Sequence, residues 1–420
     1  MNNDMNSFYD DKEHQSELQR ENTLFGQLPA QLLFAQSQCP YYQDKLADIT
    51  LEKISSRALL ASLPIMHKSD LIALQQAQPI FAGLDAKSAN IGRIFQSPGP
   101  INDPEGDGND WWRMGRAFYA AGFRAGDRIQ NCLSYHLTPG GFIMDSGAKA
   151  CGCAVIPAGP GQTEQQLEII ENLKPSGYCG TPSFLKILLD KAQQQNRDIS
   201  SISKALVTGE ALPEGLRGEL QARGVETLQA YASADVGLIA YESAQSDGLI
   251  IAEDIIVEIV RPGTTEPLPD GEVGEVVITN FNKDYPLIRF ATGDLSAIKV
   301  GVSACGRTNK RIKGWLGRAD QTAKIKGMFV HPIQIERVRQ AHTEIAKVRL
   351  LITSENFNDS MLLQCEINHE NYSIEQEAAL VLAISLSLKS ITKLSGNVEL
   401  LPLKQLKDDG KVIDDLRTLS

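Results

Sequence analysis

Short apolar runs, each followed by a stretch with apolar positions at helical spacing, recur through the middle of the chain. Ala154-Val155-Ile156-Pro157 precedes a helical pattern over 163–173, and Gly177-Tyr178-Cys179-Gly180 precedes one over 183–194. Ala205-Leu206-Val207-Thr208 precedes one over 214–223, which Gly224 stops, and a further strand is centred near Leu228. Short buried strands alternating with amphipathic helices predict parallel βαβ units joined by right-handed crossovers. Sheets of this kind bind ligands at the carboxyl ends of their strands. Thr163 with Gln166 reads as a capping box at a helix start, and that helix ends before Pro175.

The flanks read differently. Residues 1–21 are rich in Asn, Asp, Glu and Gln and predict a frayed helix or partly ordered arm. Apolar spacing predicts a helix over 28–35 and helical segments over 41–46 and 63–71. A helix over 111–123 and a turn at 124–128 precede a strand over 129–133. After Ile250, the runs 255–260 and 274–279 flank a Gly/Pro/Asp-rich connection, the pattern of an antiparallel pair. The last hundred residues predict a small α/β module: a helix over 333–340, a hairpin of 348–353 with 361–367, a helix over 374–389 and a strand over 398–403. The fold class is therefore α/β, a large domain with a parallel βαβ sheet plus an antiparallel region, and a small C-terminal α/β domain. The boundaries expected are a helical N-terminal arm over 1–80, a large domain over 81–318 and a small one over 319–420.

Length supports this division, because 420 residues exceed what one core usually serves. A net charge of −11 argues against nucleic acid or an anionic membrane as partner, since both need basic patches. The apolar stretch 378–388 is interrupted by Ser385 and Ser387 and is too short to span a bilayer. The N-terminus has no basic segment followed by an apolar core, so a cytoplasmic location is expected. Seven scattered cysteines fit reduced thiols. Cys151-Gly152-Cys153 lacks a second ligand pair at zinc spacing and reads as part of a buried strand.

Candidate chemistry centres on Asp284-Tyr285-Pro286-Leu287-Ile288-Arg289-Phe290-Ala291-Thr292-Gly293-Asp294-Leu295. Taken alone, its Gly-Asp is a turn former. A carboxylate there is also well placed to accept hydrogen bonds from the vicinal hydroxyls of a ribose. The run resembles the Pro-Leu-Ile-Arg-Tyr-x-Thr-Gly-Asp segment of phenylacetate-CoA ligases, a branch of the adenylate-forming acyl-CoA synthetases. The resemblance extends from about Tyr41 to the end of the chain. It includes Thr138-Pro139-Gly140-Gly141-Phe142, Leu173-Lys174-Pro175 and Gly180-Thr181-Pro182-Ser183.

The resemblance implies a large AMP-binding domain, a mobile small domain and a set of roles. Asp294 and Arg318 would bind the AMP ribose, Gly209 and Glu210 the adenine side, and the Tyr231 ring would lie on the adenine. Asp235 would hold Mg²⁺, Asp320 would be the hinge, and Lys411 the catalytic amine between substrate carboxylate and α-phosphate. Phe142 would help shape the acyl pocket. ATP, Mg²⁺ and coenzyme A are the implied cofactors, a small carboxylic acid such as phenylacetate the substrate, and a homodimer the implied assembly.

Two departures stand out. Where the family has a flexible Ser/Thr/Gly loop with a lysine around the terminal phosphates, this chain has Ser97-Pro98-Gly99-Pro100-Ile101-Asn102-Asp103-Pro104. Only Ser97 and Gly99 remain of the loop's chemistry, Asp103 stands where a lysine would, and Glu105 and Asp107 add negative charge. Like charges at ~4 Å cost about 1–4 kcal/mol, so weakened triphosphate binding is expected. In addition, Ala234 replaces a hydroxyl residue and Asp235 a glutamate. These changes leave an alternative open: a nucleotide- or acyl-CoA-binding homologue with the adenylation step lost or altered.

Overall fold

Ser16 and Gln19 form a capping box that opens the first long helix, α1 (Glu17–Gln38), of the computed structural model. The structure describes residues 8–97, 99–245, 247–319, 323–330, 332–355, 358–368, 373–407 and 411–417. α1 continues through Pro29 and buries Leu24, Phe25, Leu28, Leu32 and Ala35 in the main core, with α2 (Pro40–Lys45) packed beside it. The expectation of a frayed arm fails over 10–21. Glu13 is 1% exposed, with Arg116 at 3.2 Å, Arg307 at 2.9 Å and the Tyr241 hydroxyl at 2.8 Å. Distant cations recruit this segment, a constraint that local composition does not carry.

The stretch expected to be helical over 63–71 is only partly so. Met66–His67 form a strand, β1, followed by a 3-10 turn over Lys68–Asp70 and a helix over Leu71–Ala77. β2 (Ile91–Ser97) and β3 (Ile101–Gly106) make a tight hairpin. The four-residue strands β4 (Arg128–Asn131), β5 (Ala154–Pro157), β6 (Gly177–Gly180) and β7 (Lys204–Val207) then alternate with helices and lie parallel, joined by β8 (Glu226–Ser233). β9 (Gly237–Tyr241) and β10 (Leu249–Ile251) extend this sheet antiparallel. A second sheet holds the predicted antiparallel pair β11 (Ile255–Val260) and β12 (Gly274–Asn280), then β13 (Phe290–Ser296), with β1 parallel to β13 at its edge. β14 (Ile298–Lys299) and β15 (Arg311–Ile312) return to the first, nine-stranded sheet, whose order is β14-β15-β10-β9-β8-β7-β6-β4-β5.

Two local expectations are overturned. Gln162, not Thr163, is the N-cap residue of the helix Thr163–Leu173, in a left-handed conformation. Gln166 turns inward instead of capping, donating to the carbonyls of Gly159 at 2.7 Å and Gly161 at 2.8 Å and accepting from Gln130 at 3.1 Å. Two loop carbonyls claim the Gln166 side chain in place of a helix cap. Cys151-Gly152-Cys153 is a turn, not a strand, with Gly152 at φ 76° against Ala125. All seven cysteines are free thiols.

The chain divides into two compact units, residues 1–317 and 318–420. The smaller has its own core. Strands Ile345–Glu355 and Asn358–Ile367 form an antiparallel hairpin, flanked in parallel by Ile413–Asp415 and Asn397–Leu401, and helices Pro332–Gln340 and Ile374–Thr392 complete it.

Candidate active site

Arg289 anchors the segment that leads into β13. It is fully buried, pairs with Glu258 through two nitrogens at 3.1 Å, and donates to the carbonyls of Ala61 and Leu63 at 2.7 Å and Thr265 at 3.0 Å. Beyond it the ladder slips. Val277 faces Ala291 and Glu275 faces Leu295, so Thr292-Gly293-Asp294 bulge opposite Val276. Such a bulge re-aims side chains out of a regular strand. Its polar groups are held: Thr292 Oγ1 donates to the Val276 carbonyl at 3.0 Å, and the Gly293 amide donates to Glu275 Oε1 at 3.0 Å. Gly293, at φ 77°, accepts the left-handed backbone that the bulge requires.

The bulge delivers the Asp294 carboxylate to two donors. The Tyr231 hydroxyl donates to Oδ2 at 2.7 Å, and the Trp315 indole donates to Oδ1 at 2.9 Å. Tyr231 lies on β8, and Val207 of β7 registers with Gln229. Gly209 and Glu210 therefore leave β7 level with Tyr231, at the carboxyl end of the parallel sheet. Gly209 makes that exit at φ 86°.

Four residues beyond Tyr231, Asp235 is 2% exposed and carries the Lys68 ammonium on Oδ2. Asp103 of β3 is 1% exposed and faces Asp235. Neither Asp103 oxygen, nor Asp235 Oδ1, has a hydrogen-bond partner among the described residues. Burial, then the charge of Asp235, push the Asp103 carboxyl well above its ordinary range, and Lys68 opposes them. Asp103 is thus turned under the hairpin. Glu105 is paired with Arg93 at 2.7 Å, and Asp107 accepts from Asn90. In place of a flexible loop, Ser97 donates to the Ile101 carbonyl at 3.3 Å and Gly99 turns at φ 123°.

Aromatic rings gather beside this hairpin. Phe142 lies 5.2 Å from both Phe95 and Tyr135, Phe95 lies 6.1 Å from Trp112, and the Arg93 guanidinium sits 4.8 Å from the Phe142 ring. Trp112 ties the group to the Asp235 turn, its carbonyl accepting from the Leu238 amide at 2.9 Å.

With this geometry in place, residues 111–282 match the AMP-binding enzyme family model. The phenylacetate-coenzyme A ligase of Pseudomonas putida is 30% identical over 403 residues, covering 90% of each chain. That of Aromatoleum evansii is 30% identical over 366 residues, 83% of this chain and 82% of its own. The chain belongs to the phenylacetate-CoA ligase family of adenylate-forming enzymes. A solved 2-hydroxyisobutyryl-CoA ligase in complex with 2-HIB-AMP and CoA has a TM-score of 0.85 at 22% identity, covering 97% of this chain and 92% of its own, which shows the shared fold.

The ligase carries its remaining expected site residues on the small unit. Arg318 is its first residue. Lys411 precedes the strand Ile413–Asp415, half-exposed, with its ammonium 3.5 Å from Asp414, which also lies 3.6 Å from Arg349. Asp320 lies outside the described residues. The sequence reading missed Trp315 and Lys68. Trp315 stands three residues before Arg318, and Lys68 lies within the segment 63–71 expected to be helical; neither carries a local sign of its partner.

Proposed function

We propose that this AMP-forming acyl-CoA ligase activates a small aromatic carboxylic acid. The observation that carries the reading is Asp294, oriented by Tyr231 and Trp315 at the carboxyl end of the parallel sheet. A carboxylate fixed by two donors meets the two hydroxyls of a ribose without reorganising, the condition for tight polar recognition. Rings at Phe95, Trp112, Tyr135 and Phe142 support an aromatic acid, as do relatives named for phenylacetate.

The reaction uses ATP and coenzyme A. The acid's carboxylate oxygen attacks the α-phosphorus, the bond to pyrophosphate breaks, and an acyl-AMP forms; the thiol then attacks the acyl carbon and AMP leaves. Lys411 is the proposed amine that neutralises the two mutually repelling anions in the first step. Glu210 and Gly209 are proposed to border the adenine, with Arg318 as a second ribose contact. Asp235 Oδ1 is a buried oxygen without a hydrogen-bond partner among the described residues and would be the donor to Mg²⁺, which would offset polyphosphate charge when bound.

The test is ATP–pyrophosphate exchange over a panel of acids, with Lys411→Ala as control. Exchange with an arylacetate or benzoate that the variant loses supports the proposal. Absence of exchange with every acid counts against it.

A further inference from the structure

We propose that Lys68 is a polyphosphate-binding residue, held in position by Asp235. The inference rests on the adenylation reading above and names the partner of the terminal phosphates.

The hairpin between β2 and β3 cannot supply that cation. Residues 97–104 contain no lysine or arginine, and Asp103 points beneath the hairpin into the buried pair with Asp235. Lys68 comes from a different element. His67 of β1 registers with Ala291 of β13, so the chain delivers Lys68 immediately past the strand end, alongside the bulge Thr292-Gly293-Asp294. Its side chain is 22% exposed whereas that of Asp235 is 0% exposed, so Lys68 is the more solvent-accessible member of the Lys68–Asp235–Asp103 group.

Charge makes this placement consequential. The Lys68 ammonium rests on Oδ2 of the buried Asp235, with the buried Asp103 carboxyl facing the same pair. An ammonium has three donors, so contact with an incoming phosphate oxygen is compatible with the Asp235 contact. Asp235 acts here by orienting the lysine. The cation lost from the hairpin is thereby supplied from the β1 side of the same site.

Isothermal calorimetry with inorganic pyrophosphate and with AMP, as separate probes on the full chain, tests this. Lys68→Met is expected to weaken pyrophosphate binding about tenfold or more, with AMP affinity within about twofold of the parent and Lys68→Arg restoring most of the loss. If Lys68→Met fails to fold, the comparison moves to Asp235→Asn against Asp235→Asn/Lys68→Met, which removes the carboxylate that the lysine contacts. There the single variant, without the carboxylate that orients the lysine, should bind pyrophosphate more weakly than the parent, and the double variant more weakly still. A parent that binds AMP while pyrophosphate affinity is indifferent to residue 68 overturns the role of Lys68 and leaves the adenylation reading intact. A parent that binds neither probe overturns both.

Discussion

Asp294 is oriented before any ligand arrives, because a strand bulge aims its carboxylate and two side-chain donors hold it. Hydrogen bonds to a charged acceptor contribute about 1.5–3 kcal/mol each, so Tyr231→Phe and Trp315→Phe should each weaken AMP binding by about tenfold or more, read by calorimetry. The Asp103 carboxyl carries a second expectation. Its folded-state value is raised, so the native state binds that proton more tightly than the unfolded chain. The resulting stability is full below the ordinary aspartate range of about 4 and is lost as pH rises through the folded value. Asp103→Asn removes the titration, and its melting temperature should gain on the parent's as pH rises above the ordinary aspartate range. Cys305 offers a third check. Burial works to raise its thiol, but hydrogen bonds from Ser243, Ser303 and the Arg307 amide, with the Arg307 charge, hold it below the ordinary value. Burial pushes Cys39 and Cys365 up to about 12. Mass-spectrometric mapping of alkylation under native conditions should find Cys305 modified well before those two.

Among elements, the segment before β13 depends on Arg289 more than its apolar neighbours suggest. One guanidinium joins Glu258 to three carbonyls from two separate loops, Ala61 and Leu63 in one and Thr265 in the other. Arg289→Met strands Glu258, whose carboxyl burial already pushes up against the opposing pull of Arg289. Breaking a buried pair in this way costs about 3–5 kcal/mol, to be read as a shift in denaturant midpoint. The same physics operates at the N-terminal segment. Glu13→Gln leaves Arg116 and Arg307, each 5% exposed, without their shared carboxylate and should destabilise to a similar degree.

At the scale of the molecule, two units with separate cores imply separable stability. Residues 1–317 expressed alone should fold and melt cooperatively, by circular dichroism, yet catalyse no pyrophosphate exchange, since Lys411 is absent. Much of this architecture was legible beforehand. Strands 154–157 and 177–180 and the pair 255–260 with 274–279 were readable because four- to six-residue apolar runs bounded by Gly and Pro have few alternatives. The segment 63–71 was misread because its β1 residues are strand only through pairing with β13, over two hundred residues away. Gln166 was misread because the loop carbonyls of Gly159 and Gly161 claimed a side chain that local spacing assigned to a cap.

The order of apolar runs, the Thr-Gly-Asp segment and the spacing of its companions by themselves determined the fold class and the family, because both are written in local periodicity and contiguous motifs. Only tertiary structure decided that Asp103 turns inward onto Asp235, that Lys68 meets that pair and that Trp315 holds Asp294. Those are long-range electrostatic choices. A charged side chain takes whichever buried partner the fold brings within reach, and neighbours in the chain do not specify it.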